Sequence, residues 1–200
     1  MKGDLPGSNL DLFSAQSRES AAPPGFRYGA NLVQPDEETA LVAEIEALHL
    51  SPYEFRGIAA RRRVISFGPT PGYRSHSPAE VLVMPSFLQR LRSRAAVFAG
   101  RSADDFAQAL VTEYSPGTPI GWHRDRAHYG IVVGVSLLSA ATLRFRRCQA
   151  GAGWARHAHV LEPRSLYVLS GAARDLWQHS IPAVASLRYS VTFRTLRSSG

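Results

Sequence analysis

The sequence predicts a mostly β protein with flanking helices, in which the strands form a sandwich or a barrel. From Phe106 onward, six short segments rich in β-branched and aromatic residues follow one another, separated by turn residues. No long helix is predicted after that point, and many short strands without intervening helices are typical of sandwiches and barrels. The six predicted strands are FAQALVTEY, YGIVVGVSLL, ATLRFRRC, WARHAHVLE, SLYVLSG and LRYSVTFRTL.

The region before these strands is predicted to be an arm followed by helices. Residues 1–24 are polar and end in AAPPG, which predicts a flexible N-terminal arm. In QPDEETALVAEIEALHL, acidic residues at the start and apolar residues at helical spacing predict a first helix. A second helix is predicted over FLQRLRSRAAVF, with Ser86 as its N-cap.

Between these helices lies a predicted strand followed by a loop rich in proline and glycine. This segment carries Phe67 and Tyr73, and three arginines, Arg61 to Arg63, precede it. Such a loop is typical of a substrate lid, and a simple hairpin connection with solvated arginines is the alternative. We therefore divide the chain into an arm over 1–24, helices and lid over 25–105 and a core over 106–197, with 25–197 as one structural domain.

The composition favours a polyanionic partner. The formal net charge is +7 and the pI is about 10.2, which suits DNA or RNA. Only Lys2 among the basic residues is a lysine, so the codon bias of a GC-rich genome is the alternative explanation. The single cysteine, Cys148, forms no internal disulfide, and no apolar run spans a bilayer. We expect a cytoplasmic monomer without a membrane partner.

Three residues form a candidate metal site. His123 and Asp125 lie two positions apart after a Pro-Gly turn, and His179 follows a later strand in DLWQHSIP. Two histidines and one carboxylate leave one face of an ion open, as in non-haem Fe(II) enzymes that bind a cosubstrate and oxygen. Two alternatives remain for these residues alone: a catalytic zinc site, and solvated residues without a metal.

The last predicted strand favours iron over zinc. Arg188 and Arg194 are six residues apart and therefore point to the same side of an extended strand. Arginines buried on one face need anions, and an open Fe(II) site needs the dicarboxylate 2-oxoglutarate. Tyr114, on the strand that leads to the metal loop, is positioned to add a hydroxyl to the same carboxylate.

The motifs TEYSPGTPIGWHRD, GVSLLSAATLRFR, WQHSIP and RYSVTFR together resemble the AlkB family of Fe(II)- and 2-oxoglutarate-dependent dioxygenases. The resemblance covers roughly residues 55 to 197. It implies a double-stranded β-helix, or jelly-roll, core with a nucleotide-recognition lid. It makes His123, Asp125 and His179 the iron ligands, and Arg188 the partner of the distal 2-oxoglutarate carboxylate. The other residues implied to line the cosubstrate pocket are Tyr114, Arg194, Thr112 and Ser190. Thr112 and Ser190 stand at positions where the family has asparagine.

The resemblance implies oxidative demethylation of N-alkylated nucleobases in DNA or RNA, with Fe(II), 2-oxoglutarate and O2 as cofactor and cosubstrates. Formaldehyde, succinate and CO2 are the products. A single strand or a flipped base is the expected substrate. The same chemistry on protein side chains or a small molecule is the alternative, and a non-catalytic binding module is a further one. Candidate substrate-stacking groups are Phe67, Tyr73, Trp122, His128 and Tyr129; candidate phosphate-binding groups are Arg61, Arg62, Arg63, Arg124 and Arg126.

Overall fold

The computed structural model describes residues 21–55, 58–70, 81–151 and 153–197. The helices are α1 (Pro35–Glu46), α2 (Ser86–Ala99) and α3 (Gly171–Asp175), with a short 3-10 helix over Ala103–Asp105. The strands are β1 (Phe26–Gly29), β2 (Ser51–Phe55), β3 (Ile58–Phe67), β4 (Gln108–Tyr114), β5 (Ile120–His123), β6 (Tyr129–Leu137), β7 (Ala141–Gln149), β8 (Gly153–Leu161), β9 (Ser165–Leu169), β10 (Gln178–Ile181) and β11 (Arg188–Leu196).

The strands form two sheets. The major sheet has seven strands in the order β1-β9-β6-β11-β4-β3-β2, and the minor sheet has four in the order β5-β10-β7-β8. Every strand pair within them is antiparallel. Two antiparallel sheets built from non-sequential neighbours give a jelly-roll arrangement. The predicted fold class, a mostly β jelly roll with flanking helices, is confirmed.

Side-chain alternation gives the major sheet two different faces. Its outer face packs against α1 and α2 in an apolar cluster that includes Leu88, Val191 and Phe193. Its inner face meets the minor sheet in a second cluster that includes Tyr167 and Phe145. Polar residues of the inner face therefore lie between the two sheets, where they are shielded from water.

The structure agrees with the predicted elements to within a few residues. All six predicted strands form within two residues of their expected bounds, and α3, the only α-helix described after Phe106, has five residues. One boundary is corrected: Ser86 is the first residue of α2, and Pro85 occupies the N-cap without a side-chain hydrogen bond. None of the described helices is long and apolar enough to cross a membrane.

Some expectations fall on parts of the chain that the structure does not describe. The arm expected over 1–24 lies outside the described residues except for 21–24, and Tyr73 of the expected lid loop lies outside them as well. Four strands were not predicted, namely β1, β2, β5 and β10. The last two have four residues each, too few for a clear alternation, yet they position the candidate metal ligands.

Candidate active site

The three predicted metal ligands meet at one end of the minor sheet. His123 ends β5 and lies directly opposite His179 in the paired strand β10, while Asp125 follows two residues after His123. One ligand atom from each of the three residues lies within 4.8 Å of the others. Nε2 of His123 and Oδ1 of Asp125 are 3.7 Å apart. The pairing of two short strands thus brings together residues that are 56 positions apart in the sequence.

Two of the three side chains are held in the protonation state that a metal requires, and a hydrogen bond orients the third. Nδ1 of His123 donates a hydrogen bond to the carbonyl oxygen of Gly121 at 2.8 Å, which turns Nε2 toward Asp125. Burial lowers the pKa of His179 to about 3, so its ring is neutral. Burial alone would raise the pKa of the Asp125 carboxyl, but the nearby positive charges, that of Arg194 first, hold this pKa well below its usual range.

Arg194 fixes the Asp125 carboxylate from the major sheet. Its Nε donates to Oδ2 of Asp125 at 3.3 Å, and one terminal nitrogen donates to Oε1 of Gln108 at 2.9 Å. The amide of Gln108 in turn donates to the Ser66 hydroxyl at 2.7 Å. Arg194 is only 8% exposed, so the ion pair is shielded from water. This series of hydrogen bonds holds Oδ2 of Asp125 against Arg194 and leaves Oδ1 facing His123.

Arg188 lies on the same face of β11 but has no such partner. Its side chain is fully buried, and Nε donates to the Ser136 hydroxyl at 3.1 Å. The guanidinium lies 5.0 Å from the ring centroid of Tyr114, its cross-strand neighbour. Both terminal nitrogens are buried without a hydrogen-bond partner, and no ion pair among the described residues includes Arg188. A buried charge of this kind requires an anion.

The wall beside Arg188 consists of hydroxyl groups. Thr112, Ser190 and Ser136 lie opposite one another on three adjacent strands, and all three are buried. The first two were predicted from the sequence and Ser136 was not, although the alternation in GVSLL places it on the same face. This part of the pocket therefore offers neutral hydroxyl donors and one cation, which suits a carboxylate.

Tyr167 is a second pocket residue that was not predicted from the sequence. It pairs with Gly134, and a Cβ at that glycine would come within 2.2 Å of the tyrosine ring. Burial raises the pKa of the Tyr167 hydroxyl, which also experiences the charges of Arg188, Asp125 and Arg194. The hydroxyl therefore lies between the two ends of the pocket. All of β9 is buried, so no alternation in its residues singles out Tyr167.

The segment after Asp125 is held over the site by Arg174 of α3. A terminal nitrogen of this buried arginine donates to the carbonyl oxygens of Arg126, at 2.6 Å, and Tyr129, at 2.9 Å. The ring of Tyr129 lies 5.2 Å from the Arg194 guanidinium, so this aromatic residue is part of the site. His128 packs edge-on against Tyr129 with ring centroids 4.3 Å apart.

Other predicted substrate residues do not reach the metal ligands. Phe67 is buried in the apolar cluster beneath the helices, on the outer face of the major sheet. Trp122 alternates with His123 and therefore points to the outer face of the minor sheet, where it packs against arginines. Arg63 forms an ion pair with Glu113 at 3.3 Å, and Arg124 donates to the carbonyl oxygen of Asp175.

Comparison with known proteins decides the family. The family model of the 2OG-Fe(II) oxygenase superfamily matches residues 57–194. The chain belongs to this superfamily. The oxygenase is therefore an Fe(II)- and 2-oxoglutarate-dependent dioxygenase, and its cofactor and cosubstrates are Fe(II), 2-oxoglutarate and O2.

Individual relatives include proteins whose names refer to the AlkB family. It is 28% identical over 182 residues to the "Alkylated DNA repair protein ALKBH8 homolog" of Arabidopsis thaliana, covering 80% of this chain and 51% of that protein. It is 30% identical over 102 residues to uncharacterized protein L905 of Acanthamoeba polyphaga mimivirus, covering 44% and 48% respectively. The chain thus spans about half the length of these curated relatives. The solved structure of OsALKBH1 has the same fold, with a TM-score of 0.67 at 16% identity, covering 88% of this chain and 99% of that one.

The residues of the oxygenase fit the iron and the cosubstrate that the family requires. Two imidazoles and one carboxylate form a donor set that suits Fe(II) and leaves coordination positions open. The two orphaned nitrogens of Arg188 fit the geometry of a carboxylate, which accepts two parallel hydrogen bonds from a guanidinium. The fit rests on two separate observations, one at each end of the same pocket.

Proposed function

We propose that the oxygenase removes alkyl groups, methyl above all, from nitrogen atoms of nucleobases in DNA or RNA, with release of formaldehyde, succinate and CO2. The observation that carries this proposal is a set of aromatic and arginine side chains beside the metal ligands, which we call the entrance: Tyr129 packs next to Arg194, and Tyr53 packs next to Arg62. The proposal extends to residue roles. His123, Asp125 and His179 hold Fe(II), while Arg188, Tyr114, Thr112 and Ser190 hold 2-oxoglutarate.

The chain's own residues prepare the site for this chemistry. When bound, the iron and 2-oxoglutarate supply the oxidation of a substrate C–H bond by O2. Arg194 keeps Asp125 ionised and oriented, and Gly121 fixes the tautomer of His123. Arg188 binds the distal carboxylate and so sets the depth at which the cosubstrate sits. The apolar walls between the sheets exclude water from the reacting atoms.

The entrance suits a base more than an aliphatic side chain. The electrostatic surroundings of the Tyr129 hydroxyl include Arg194, Asp125 and Tyr53, so the β2–β3 hairpin lies near the site. The Arg62 guanidinium lies 3.9 Å from the ring centroid of Tyr53. Tyr53, backed by Arg62, offers a stacking surface for an extruded base, while the ring of Tyr129 is buried beside Arg194. Tyr53 was not identified from the sequence, because a single tyrosine before a charged strand carries no pattern.

The charge around the entrance suits a phosphodiester backbone. Arg62 packs against Tyr53, and Arg126 directly follows Asp125 in a segment that is fixed by Arg174. Fixed arginines bind phosphates with less loss of conformational entropy than free ones. The ALKBH8 homologue, whose name refers to alkylated DNA repair, adds support from a relative.

A panel experiment tests the proposal. N-methylated single- and double-stranded DNA and RNA oligonucleotides are incubated with the protein, Fe(II) and 2-oxoglutarate, and analysed by mass spectrometry. We expect the loss of one methylene mass from the methylated base, formation of formaldehyde, and preference for one polymer. The control is His179→Ala, which removes a metal ligand and leaves the entrance unchanged; it shows no mass loss.

Two results would contradict parts of the proposal. Succinate formation without demethylation of any oligonucleotide would retain the oxygenase chemistry and exclude nucleobases in this panel, which directs the search to proteins and small molecules. Demethylation by His179→Ala equal to that of the wild type would overturn the metal assignment. A protein that forms no succinate with any substrate would be a binding module.

A further inference from the structure

The outer face of the minor sheet carries exposed arginines and tryptophans. His179 and Phe145 point inward to the site, so the residues that alternate with them on β10 and β7 point outward. Cross-strand neighbours share a face, which extends this surface onto β8. We call it the arginine–tryptophan face, and it consists of Trp122, Arg144, Arg146, Trp154 and Arg156.

The arginines of this face are held in place by aromatic rings. The Arg146 guanidinium lies 4.5 Å from the ring centroid of Trp122 and 4.7 Å from that of Trp154, and Arg144 lies 5.3 Å from Trp122. Nε of Arg146 donates to Oε1 of Gln178 at 2.8 Å. These contacts fix the side chains and leave terminal N–H groups for a further acceptor. Trp154 remains 44% exposed.

The strands that carry this face contain no acidic residue. None of β5, β7, β8 and β10 has an Asp or Glu. Arg146 lies directly opposite Arg156, an arrangement of like charges that destabilises a sheet. Among the described residues, neither Arg144 nor Arg146 forms an ion pair. An external polyanion would supply the negative charge for Arg144 and Arg146.

We propose that the arginine–tryptophan face binds a single-stranded segment of the nucleic acid whose modified base enters the site. This inference rests on the proposed function and names a surface that the function alone does not require. The arginines contact successive phosphates, and the exposed ring of Trp154 stacks on a base. A duplex offers no free base face to such a ring, so a single strand is the better fit.

The face is continuous with the site. Trp122 directly precedes the ligand His123, and β5 is the edge strand of the minor sheet. The face and the candidate metal site therefore meet at this edge of the sheet, so one bound strand can contact both. Four strands at about 4.8 Å spacing make the face about 14 Å wide, which accommodates more than one nucleotide.

The test measures binding of a labelled methylated single-stranded oligonucleotide by fluorescence anisotropy at several salt concentrations, with the full chain. In Arg144→Gln/Arg146→Gln, two phosphate contacts are lost, so the slope of log K against log salt becomes shallower by about 1.4. The Kd rises accordingly at low salt. The matched control is Arg90→Gln/Arg101→Gln, at and just beyond α2, which removes the same charge from the opposite side and leaves slope and Kd close to those of the wild type.

A second variant tests the proposed stacking contact without changing the charge of the face. Trp154→Ala weakens binding at least about 5-fold, since loss of one base–aromatic stack costs that much or more. Thermal unfolding of each variant shows that it is folded. Wild-type affinity and slope in Arg144→Gln/Arg146→Gln would overturn the inference, as would equal losses in the matched control. Displacement of the oligonucleotide by polyglutamate of equal charge at equal concentration would also overturn it, because the face would then bind any polyanion.

The wild type separates this inference from the proposed function. If it neither binds nor demethylates oligonucleotides, both are wrong. If the wild type demethylates oligonucleotides but the face variants bind them as the wild type does, the proposed function stands and the surface proposal is wrong.

Discussion

Arg194 and Arg188 lie on one face of one strand, yet their surroundings differ. Arg194 donates to the Asp125 carboxylate and to Gln108, so its charge is compensated within the protein. Arg188 is more deeply buried, and among the described residues its side chain donates only to the Ser136 hydroxyl and lies over the Tyr114 ring. The protein thus completes the metal end of the pocket and leaves the anion end incomplete. The contrast shows which end the protein orders by itself, and the proposed function assigns the other end to the cosubstrate.

The unequal compensation of the two arginines has an energetic consequence. A compensated buried ion pair stabilises the folded chain relative to either partner alone, whereas an uncompensated buried charge destabilises it. In the proposed arrangement, 2-oxoglutarate supplies to Arg188 the negative charge that Asp125 supplies to Arg194. We therefore expect the anion end to favour cosubstrate binding at the expense of the stability of the ligand-free protein.

Removal of the shared carboxylate should have the greatest effect. Asp125→Ala eliminates a metal ligand and leaves Arg194 without its anion. Turnover should fall more than about 100-fold, because even the loss of an outer-shell partner of a metal ligand costs 10- to 100-fold. Succinate formation measures this. Asp105→Ala, which removes a surface carboxylate paired with Arg101, serves as the control and retains turnover. Full activity of Asp125→Ala would show that the ligand set is wrong.

Breaking the compensated pair from the other side should destabilise the fold. Arg194→Met leaves Asp125 buried without its main cation, and we expect the free energy of unfolding to fall by about 3 kcal/mol. Urea unfolding of the metal-free protein measures this. Arg164→Met removes a more exposed ion pair with Glu38, and its expected cost is about 1 kcal/mol or less. Equal costs for the two variants would remove the distinction between the buried and the exposed pair.

Arg188→Met should have the opposite effect on stability. It removes an uncompensated charge, so the ligand-free protein should unfold at the same or higher urea concentration, with a gain of as much as about 4 kcal/mol. The Kd for 2-oxoglutarate should rise about 10- to 100-fold, since hydrogen bonds to a charged group are worth about 1.5 to 3 kcal/mol. Calorimetric titration measures binding without turnover. Destabilisation as large as that of Arg194→Met would show that Arg188 already has an anion in the protein.

Much of this pocket could be predicted from the sequence, for physical reasons. β11 is a regular extended strand, so the even spacing of Arg188 and Arg194 is sufficient to place both on one face. The metal ligands were found through spacing together with family resemblance, although β5 and β10 are too short to be predicted as strands. Their positions depend on tertiary pairing, which no local pattern in four residues encodes.

The residues that were missed depend on packing. Tyr167 lies in a strand that is buried on both faces, and its role follows only from the close approach to Gly134. The proximity of Tyr53 to the site depends on the tertiary position of the β2–β3 hairpin near Tyr129, which the sequence alone does not reveal. Phe67 was assigned to the lid because it precedes a loop rich in proline and glycine, but the register of β3 against β4 turns its side chain toward the helices. Composition cannot reveal which face a side chain occupies at the end of a strand.

Gly134→Ala changes the wall between the metal end and the anion end. The new Cβ would lie 2.2 Å from the Tyr167 ring, so the ring must move. We expect a loss of about 1 to 3 kcal/mol in unfolding free energy from overpacking, together with weaker 2-oxoglutarate binding. Gly121→Ala is the control, because a Cβ there meets no atom within 4 Å. Unchanged stability of Gly134→Ala would show that Tyr167 is not packed against this strand.

Tyr167→Phe should give the weakest effect and resolve which end the hydroxyl serves. Burial raises the pKa of this hydroxyl, so it stays protonated at neutral pH and is available as a donor. If it binds the cosubstrate, the Kd for 2-oxoglutarate rises about 5-fold, the worth of one hydrogen bond near 1 kcal/mol, while metal affinity is unchanged. A change in metal affinity with constant 2-oxoglutarate affinity would assign the hydroxyl to Asp125 instead. Phenylalanine keeps the ring packed on Gly134, so either outcome reports on the hydroxyl alone. The affinity that changes therefore tells whether this hydroxyl belongs to the metal end or to the anion end of the pocket.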